Sequence, residues 1–255
     1  MRIFATSDLH TDFKDNWVLL AQLSNSLYQN DALIVAGDIG HNLGLVKDTL
    51  EMLQAKFKML FYVPGNHELW VRGENQHSLD KFFNIIELCK QIGVYSSPVE
   101  LEKCTIVPLF SWYEKEFDID KNPDLDRLDS WSDFYFCKWP ENVDSIANHF
   151  LSLNQDRIKS YSKEVISFSH FLPRQELIPS RKWLRFKGLP QVAGCVRLDN
   201  QIRAIRSTTH IFGHSHMNWD VTIEGVRYIQ NALSYPKERV NREKPIIKLV
   251  WSDES

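Results

Sequence analysis

Residues 59–68, MLFYVPGNHE, contain the transition that decides the fold, because a short apolar run stops at Pro64-Gly65 and polar side chains follow. Apolar runs of this length, ended by turn residues, are typical of strands buried within a sheet. Residues 3–6 and 32–36 have the same form, and apolar residues at helical spacing follow all three runs, near residues 17–27, 46–57 and 82–92. Strands that alternate with helices predict βαβ units and a buried, largely parallel sheet.

The second half of the chain has a more mixed pattern. Strands are predicted at residues 105–110, 165–169, 210–212, 221–223, 226–229 and 246–251, with Glu224-Gly225 as a hairpin turn. Helices are predicted near 143–153 and 196–205, and a helix with a loop at 174–187. Residues 111–163 begin with an aperiodic stretch rich in aspartate and aromatics. The simplest organisation is one domain, 1–255, with an insertion at about 111–163.

Composition excludes several classes of protein. The 255 residues are 43% hydrophobic and 25% charged, with a net charge of −3, which is ordinary for a globular protein. No block of lysine and arginine suggests a nucleic-acid footprint, and no apolar run is long enough to span a membrane. The N-terminus has no secretory apolar region, and four widely spaced cysteines without a CxxC pair favour a reducing compartment. We therefore expect a cytoplasmic protein.

Residue types that bind metals follow five of the predicted strands. In open α/β sheets, sites form outside the carboxyl ends of the strands, so these side chains are expected to converge on one edge. They are Asp8 and His10, Asp38, Asn66 and His67, His170, and His214 and His216. Imidazole and carboxylate groups without thiolate suit zinc, manganese or iron, and the charge is too low for calcium. Because the candidates are too many for one tetrahedral ion, they indicate two ions that share a carboxylate.

Five motifs carry a resemblance to the calcineurin-like metallophosphoesterases. They occur in that family's order: Asp8-Leu9-His10, Gly37-Asp38, Gly65-Asn66-His67-Glu68, the single His170, and Gly213-His214-Ser215-His216. The motifs extend from residue 8 to residue 216 and so cover most of the chain. The resemblance implies an α/β fold, a four-layer α/β/β/α sandwich of two mixed sheets flanked by helices.

The resemblance also implies a role for each motif residue. One metal ion would be held by Asp8, His10 and His216, a second by Asn66, His170 and His214, and Asp38 would bridge both. His67 would bind no metal and would point at the leaving oxygen, as proton donor or as stabiliser of developing charge. The implied enzyme holds two divalent ions (Mn, Fe or Zn). In it, a hydroxide bridging the ions attacks the phosphorus of a small phosphomonoester or phosphodiester in line.

Each of these residues also has an ordinary structural interpretation. Asp8 and Asp38 are suited to capping helices, Asn66 to capping the turn after Pro64-Gly65, and a lone histidine is more often a hydrogen-bonded core or surface residue. His214 and His216 alternate, so on a regular strand they would face opposite sides. Both reach one site only if the chain turns after the strand, which Gly213 permits.

Three further residues have two interpretations each. In the protein Ser/Thr phosphatase branch the Gly-Asp motif continues as GDxxDRG, whereas here His41 replaces the second aspartate and the DRG is missing. This difference disfavours a protein phosphatase, and His41 is either a phosphate contact or a solvated loop residue. Glu68 is either a partner of a ligand or a favourable charge in a helical first turn. Arg174 is either a phosphate clamp or a surface residue.

The insertion also has two interpretations. Its aromatic residues are expected either to pack into a small local core or to form a lid that selects the substrate. They are Trp112, Tyr113, Phe117, Trp131, Phe134, Tyr135, Phe136 and Trp139, and an acidic face accompanies them at Asp118, Asp120, Asp124, Asp126 and Asp129. An alternative at the level of the whole chain is a non-catalytic scaffold that binds a partner on the same fold.

Overall fold

The structure is a computed structural model that describes residues 1–120, 128–239 and 245–253. Asp124 and Asp126, part of the predicted acidic face, lie outside the described residues. The described strands are Arg2–Thr6 (β1), Ala32–Ala36 (β2), Met59–Val63 (β3), Val99–Glu100 (β4), Cys104–Pro108 (β5), Glu164–Phe168 (β6), Ser207–Phe212 (β7), Trp219–Ile223 (β8), Val226–Gln230 (β9) and Lys248–Ser252 (β10).

These strands form two mixed sheets. The first has the order β10-β1-β2-β3, in which β1, β2 and β3 run parallel and β10 pairs antiparallel with β1. The second has the order β4-β5-β6-β7-β9-β8, with a parallel centre from β5 to β9 and an antiparallel strand at each edge. The prediction of a parallel arrangement therefore holds for the centre of each sheet.

Among the described residues, six α-helices accompany the sheets: Lys14–Ala21 (α1), Leu43–Gln54 (α2), Ser78–Ile92 (α3), Asp133–Phe136 (α4), Ile146–Ser152 (α5) and Arg197–Ala204 (α6). Helix α2 begins where the side chain of Asn42 accepts a hydrogen bond from the backbone of Leu45, at 3.0 Å, as an N-cap residue does. Helix α3 ends at Gly93, whose left-handed φ of 76° suits a residue without a Cβ.

Successive residues along the strands of the second sheet belong to two different hydrophobic cores. Ile106, Ile166 and Ile211 belong to the large core that also contains the strands of the first sheet and helices α2 and α3. Their neighbours Val107 and Phe212 belong to a second core, with Leu198 and Ile202 of α6 among its members. Because successive residues of a strand face opposite sides, one face of this sheet packs on the first sheet and the other is covered by α6. The four-layer α/β/β/α sandwich is therefore confirmed.

Two predicted helices differ from the observed structure. Helix α1 stops at Ala21, because the Ser24 hydroxyl accepts hydrogen bonds from the backbone of Ser26 and Leu27, which replaces helical bonding with a turn. The segment 174–187 contains only two short 3₁₀ turns, and Pro179 lies between them. Proline lacks the amide donor and disfavours helical backbone in the residue before it, which explains the interruption. The single-domain organisation with an insertion at about 111–163 stays a prediction.

Candidate metal centre

The candidate ligands converge at the carboxyl ends of strands from both sheets. Ligand atoms of Asp8, His10, Asp38 and His216 all lie within 4.8 Å of one another, and so do those of Asp38, His170 and His214. The two groups share Asp38. Asp8 and His10 follow β1, and Asp38 follows β2. His170, His214 and His216 follow β6 and β7 of the second sheet. The arrangement has the form of two adjoining cation sites with one common carboxylate.

Asn66 joins the second of these groups. Its Oδ1 atom lies 3.1 Å from His170 Nε2 and 3.1 Å from His214 Nδ1. Its amide nitrogen donates a hydrogen bond to Asp133 at 2.9 Å, which leaves the oxygen turned towards the two imidazoles. The structure thus brings together all seven residues to which the sequence assigns a ligand role.

The backbone at these residues is unusual. Five of the candidate ligands have a left-handed φ: Asp8 (53°), His10 (42°), Asp38 (59°), His214 (72°) and His216 (56°). Such backbone is uncommon outside glycine, and strained conformations cluster at functional sites. It also explains how His214 and His216 reach one site, since the chain turns at each of them and does not continue as a strand. A Cβ on Gly213 would lie 2.8 Å from the carbonyl oxygen of Ala36, so the close approach needs glycine.

Hydrogen bonds on the far side of three imidazole rings fix which nitrogen faces the centre. His170 donates from Nδ1 to the carbonyl of Ala36 at 2.9 Å, and His214 donates from Nε2 to the carbonyl of Val192 at 2.9 Å. His216 donates from Nδ1 to the carboxylate of Glu238 at 2.7 Å. In its neutral form each ring therefore presents its other, unprotonated nitrogen to the other ligands, which is how metal-binding histidines are usually oriented.

The electrostatics of the group fit divalent cations. Burial raises the pKa of Asp38 well above its usual value, and the neighbouring Glu68 and Asp8 carboxylates raise it further. Burial and the adjacent imidazoles hold the pKa of His10 and of His214 well below the ordinary value, so both rings are neutral. Among the described residues no lysine or arginine pairs with Asp8 or Asp38, and the buried Nδ1 of His10 has no hydrogen-bond partner. Buried carboxylates beside neutral imidazoles are a donor set for cations.

His216 differs from the other histidines. Burial lowers its pKa, but the Asp8 carboxylate and the hydrogen bond to Glu238 outweigh burial, so that the pKa is raised overall. Its Nε2 atom lies 3.5 Å from Asp8 Oδ1 and 3.0 Å from His10 Nε2. Two ring nitrogens at this separation face each other with a shared proton, or with a cation that both bind.

His67 lies beside the two groups and belongs to neither. Its backbone amide donates to Asp38 Oδ1 at 3.1 Å, and its Nε2 lies 3.9 Å from Asp38 Oδ2. The ring packs on Trp70 at a centroid distance of 3.9 Å, and the hydroxyl of Tyr235 lies 3.4 Å from Nε2. The imidazole thus lies between two aromatic side chains, beside the two groups of candidate ligands.

Glu68 is buried and organises the loops that carry the ligands. Its carboxylate accepts backbone hydrogen bonds from Asp38 at 3.1 Å, from Gly40 at 3.2 Å, from Gly65 at 2.6 Å and from Ile39. Burial raises its pKa, while these amide donors act in the opposite direction. Of its two interpretations, the structure favours the supporting role: Glu68 connects the loop after β2 to the loop after β3.

Replacement of Glu68 by glutamine is expected to destabilise the protein by about 3 kcal/mol, since a buried amide donor would face backbone donors that have no other acceptor. Urea unfolding of the purified variant measures this free energy. Glu51→Gln is the matched control, because Glu51 lies on the exposed face of α2 and its carboxylate forms an ion pair with Lys47 at 3.8 Å. A loss no larger than that of the control would contradict the role given to Glu68.

Two of the proposed phosphate contacts, Arg174 and His41, have different surroundings. The guanidinium of Arg174 pairs with Glu224 at 2.9 Å, with Asp199 at 3.1 Å and with Glu176 at 2.5 Å. The side chain of His41 is partly exposed, and burial together with the charge of Arg72 lowers its pKa. Neither residue belongs to the two cation-binding groups.

Three residues that support the centre have no signal in the sequence. Asp133, Tyr235 and Glu238 each contact a motif residue, namely Asn66, His67 and His216. Asp133 lies in the aperiodic insertion, and the other two lie beyond the last motif. Because each contact joins segments that are distant along the chain, spacing alone does not reveal it.

The aromatic residues of the insertion divide between packing and exposure. Trp112 and Phe117 are buried within the two hydrophobic cores. Trp131 packs its ring against His214 at a centroid distance of 5.9 Å, whereas Phe134 and Tyr135 are 55% and 63% exposed. The packing interpretation therefore describes the start of the insertion, and the exposed residues follow Trp131.

The fold and the paired donor groups together define a phosphoesterase. A sequence model of the calcineurin-like phosphoesterases matches residues 1–218, and this chain belongs to that family. It is a metal-dependent hydrolase of phosphoric esters. No helix among the described residues is long and apolar enough to cross a membrane.

One relative resembles the chain over nearly its whole length. The [acyl-carrier-protein] phosphodiesterase PptH of Mycobacterium tuberculosis (strain ATCC 25618 / H37Rv) is 25% identical, over 95% of this chain and 80% of the relative. The crystal structure of phosphopantetheinyl hydrolase (PptH) from Mycobacterium tuberculosis superposes with a TM-score of 0.82 at 22% identity and covers 99% of this chain and 96% of that one. At this identity the structural likeness shows the shared fold.

Proposed function

We propose that this chain is a dinuclear metal-dependent phosphodiesterase. The observation that carries the proposal is the pair of cation-binding groups that share Asp38. Asp8, His10 and His216 would hold one divalent ion, Asn66, His170 and His214 would hold the second, and Asp38 would bind both. Two divalent ions in such a site acidify a bound water and neutralise charge on the phosphoryl oxygens. The ions would be Mn, Fe or Zn, since the donors are imidazoles, carboxylates and one amide.

The residues around the ligands supply orientation and proton control. His67 is held between Trp70 and Tyr235, and its Nε2 lies 3.9 Å from the carboxylate of Asp38. It is placed to hydrogen-bond the oxygen of the leaving group, either donating a proton or stabilising the charge that develops there. This assembly, which lacks none of the expected donors, favours hydrolysis over the alternative of a scaffold that only binds a partner.

The substrate that we favour is a phosphodiester between an organic group and a protein. The similarity to PptH extends over 95% of the chain, and that relative is an acyl-carrier-protein phosphodiesterase. We propose that this chain likewise removes a phosphopantetheinyl group from a carrier protein. A groove of about 600 Å³, lined by Trp112, Tyr113, Phe134 and Trp139 among others, lies next to Asp133 and is suited to an organic group of that kind. We propose that the reaction takes place in the cytoplasm, because four cysteines without a CxxC pair favour a reducing compartment.

A hydrolysis panel on metal-stripped protein tests this function. The protein is reloaded with manganese, iron or zinc in turn and offered a phosphopantetheinylated carrier protein, simple alkyl phosphodiesters, phosphomonoesters and a pyrophosphate. We expect negligible turnover without metal, full activity at about two ions per chain, and the highest kcat/KM with the carrier protein, detected by mass spectrometry as loss of the phosphopantetheinyl group. Cleavage of monoesters alone would overturn the proposed substrate, and activity that is retained in the stripped protein would overturn the metal centre.

A further inference from the structure

Asp133, in the insertion, is a buried carboxylate at the meeting point of several site residues. Only 2% of its surface is exposed. Its Oδ1 atom accepts hydrogen bonds from the amide of Asn66 at 2.9 Å and from the indole of Trp70 at 2.6 Å, and its Oδ2 atom accepts one from the indole of Trp131 at 2.8 Å. Among the described residues it forms no ion pair with lysine or arginine. These three hydrogen-bond donors are neutral side chains, and one of them belongs to a candidate ligand.

The contact with Asn66 decides which way that amide faces. An asparagine side chain has a donor end and an acceptor end, and the assignment depends on the surrounding hydrogen bonds. Because the carboxylate of Asp133 only accepts, the NH₂ group of Asn66 must face it. The carbonyl oxygen then faces His170 and His214, at 3.1 Å from each. Without Asp133, either end of the amide would be able to point at the cation position.

Trp70 and Trp131, the other two hydrogen-bond donors to Asp133, connect it to two imidazole rings. Trp70, held through its indole, packs on His67 at a centroid distance of 3.9 Å. Trp131, held by the second oxygen, packs edge-on against His214 at 5.9 Å. One carboxylate thus contacts Asn66 directly and His67 and His214 through a single aromatic ring each.

We propose that Asp133 is a positioning residue for the second metal ion, and that the insertion is in this way a structural part of the metal centre. This inference rests on the proposed dinuclear function. In this role, Asp133 holds Asn66 Oδ1 towards the ion that His170 and His214 would bind. In the described part of the chain, Asp8, His10 and His216 form no hydrogen bond with Asp133, so the ion that they would bind is expected to be independent of it.

The test is metal titration of Asp133→Asn. Metal-free wild type and variant are titrated with Mn²⁺, and binding is followed by calorimetry and by electron paramagnetic resonance, which distinguishes a magnetically coupled pair from an isolated ion. We expect one ion to bind as in wild type, the affinity for the second to fall by about 10- to 100-fold, and the signal of the coupled pair to be replaced by that of a single ion.

Asp118→Asn is the matched control. Asp118 is also a buried carboxylate of the insertion, 3% exposed, but it forms an ion pair with Arg181 and, in the described part of the chain, no hydrogen bond with a candidate ligand. A general loosening of the insertion would affect both variants, whereas loss of positioning is expected only in Asp133→Asn. Asp133→Glu keeps the charge and shifts it by one methylene, so it should recover part of the second-ion affinity. If Asp133→Asn does not fold, Asp133→Glu still tests the proposal.

The outcomes separate the positioning role from the dinuclear function. Two ions in wild type and two equally tight ions in both Asp133 variants would overturn the positioning role and leave the proposed function intact. An equal loss of affinity in Asp118→Asn would also overturn it, because the effect would then be one of stability. Fewer than two ions in wild type would overturn the dinuclear centre itself.

Discussion

Replacement of Asp38 by asparagine is expected to abolish hydrolysis, with a loss in kcat/KM of about 10³-fold or more, and to weaken the binding of both metal ions. The structure explains why one change would affect two ions. Asp38 belongs to both cation-binding groups, whereas every other member belongs to one. The amide removes a negative charge from each group and turns a donor towards one of them.

The substitution is informative because it leaves the backbone nearly undisturbed. Asp38 has a left-handed φ of 59°, a conformation that aspartate and asparagine both tolerate better than most residues. Metal content after dialysis and steady-state kinetics measure the two effects. Asp31→Asn is the control, since Asp31 is likewise buried and pairs with Arg2 away from the centre. Retention of two tightly bound ions in Asp38→Asn would refute its bridging position.

Replacement of His67 by alanine is expected to lower kcat by about 10²- to 10⁴-fold while metal content stays close to that of wild type. His67 belongs to neither cation-binding group, and its side chain touches Trp70 and Tyr235 at the rim. The loss should appear in kcat and only weakly in KM, because the interaction is made mainly in the transition state.

The leaving group distinguishes the two chemical roles of His67. If the imidazole donates a proton, the variant should be most impaired with alkyl leaving groups and least impaired with acidic phenols, which depart without protonation. If it stabilises charge only, the defect should vary much less across the series. Arg174→Ala serves as a control for the loss of a basic side chain, because Arg174 is occupied by three carboxylates. Loss of metal from His67→Ala would show that His67 is a ligand.

The fold was largely predictable because its elements have simple periods. The bounds of β2 and β3 agree with the apolar runs at 32–36 and 59–63, since strands buried on both faces read as continuous apolar segments. The two-residue strand β4 was not predicted, because so short a segment has no period. Helix α1 was predicted to be too long, since the turn at Ser24 depends on side-chain hydrogen bonds that spacing does not reveal.

The candidate site was predictable to the extent that its residues lie in motifs. Asp8, Asp38 and His214 each lie two residues after the last residue of a strand, so topology alone brings them together. The supporting residues followed no such rule. Asp133 and Glu238 reach the centre only through tertiary packing, and the sequence separations of 67 and 22 residues between them and their partners carry no pattern.

The candidate metal ligands come from both sheets, and this has a consequence for the stability of the protein in the cell. Asp8 and Asp38 follow strands of one sheet, and His170 and His214 follow strands of the other. Each ion would therefore link the two sheets. Binding to the native state alone adds free energy to folding, and that contribution disappears when the ions leave. A shortage of transition metals would then shorten the lifetime of the protein as well as remove its activity. The amount of this protein in the cell would therefore vary with the supply of metal.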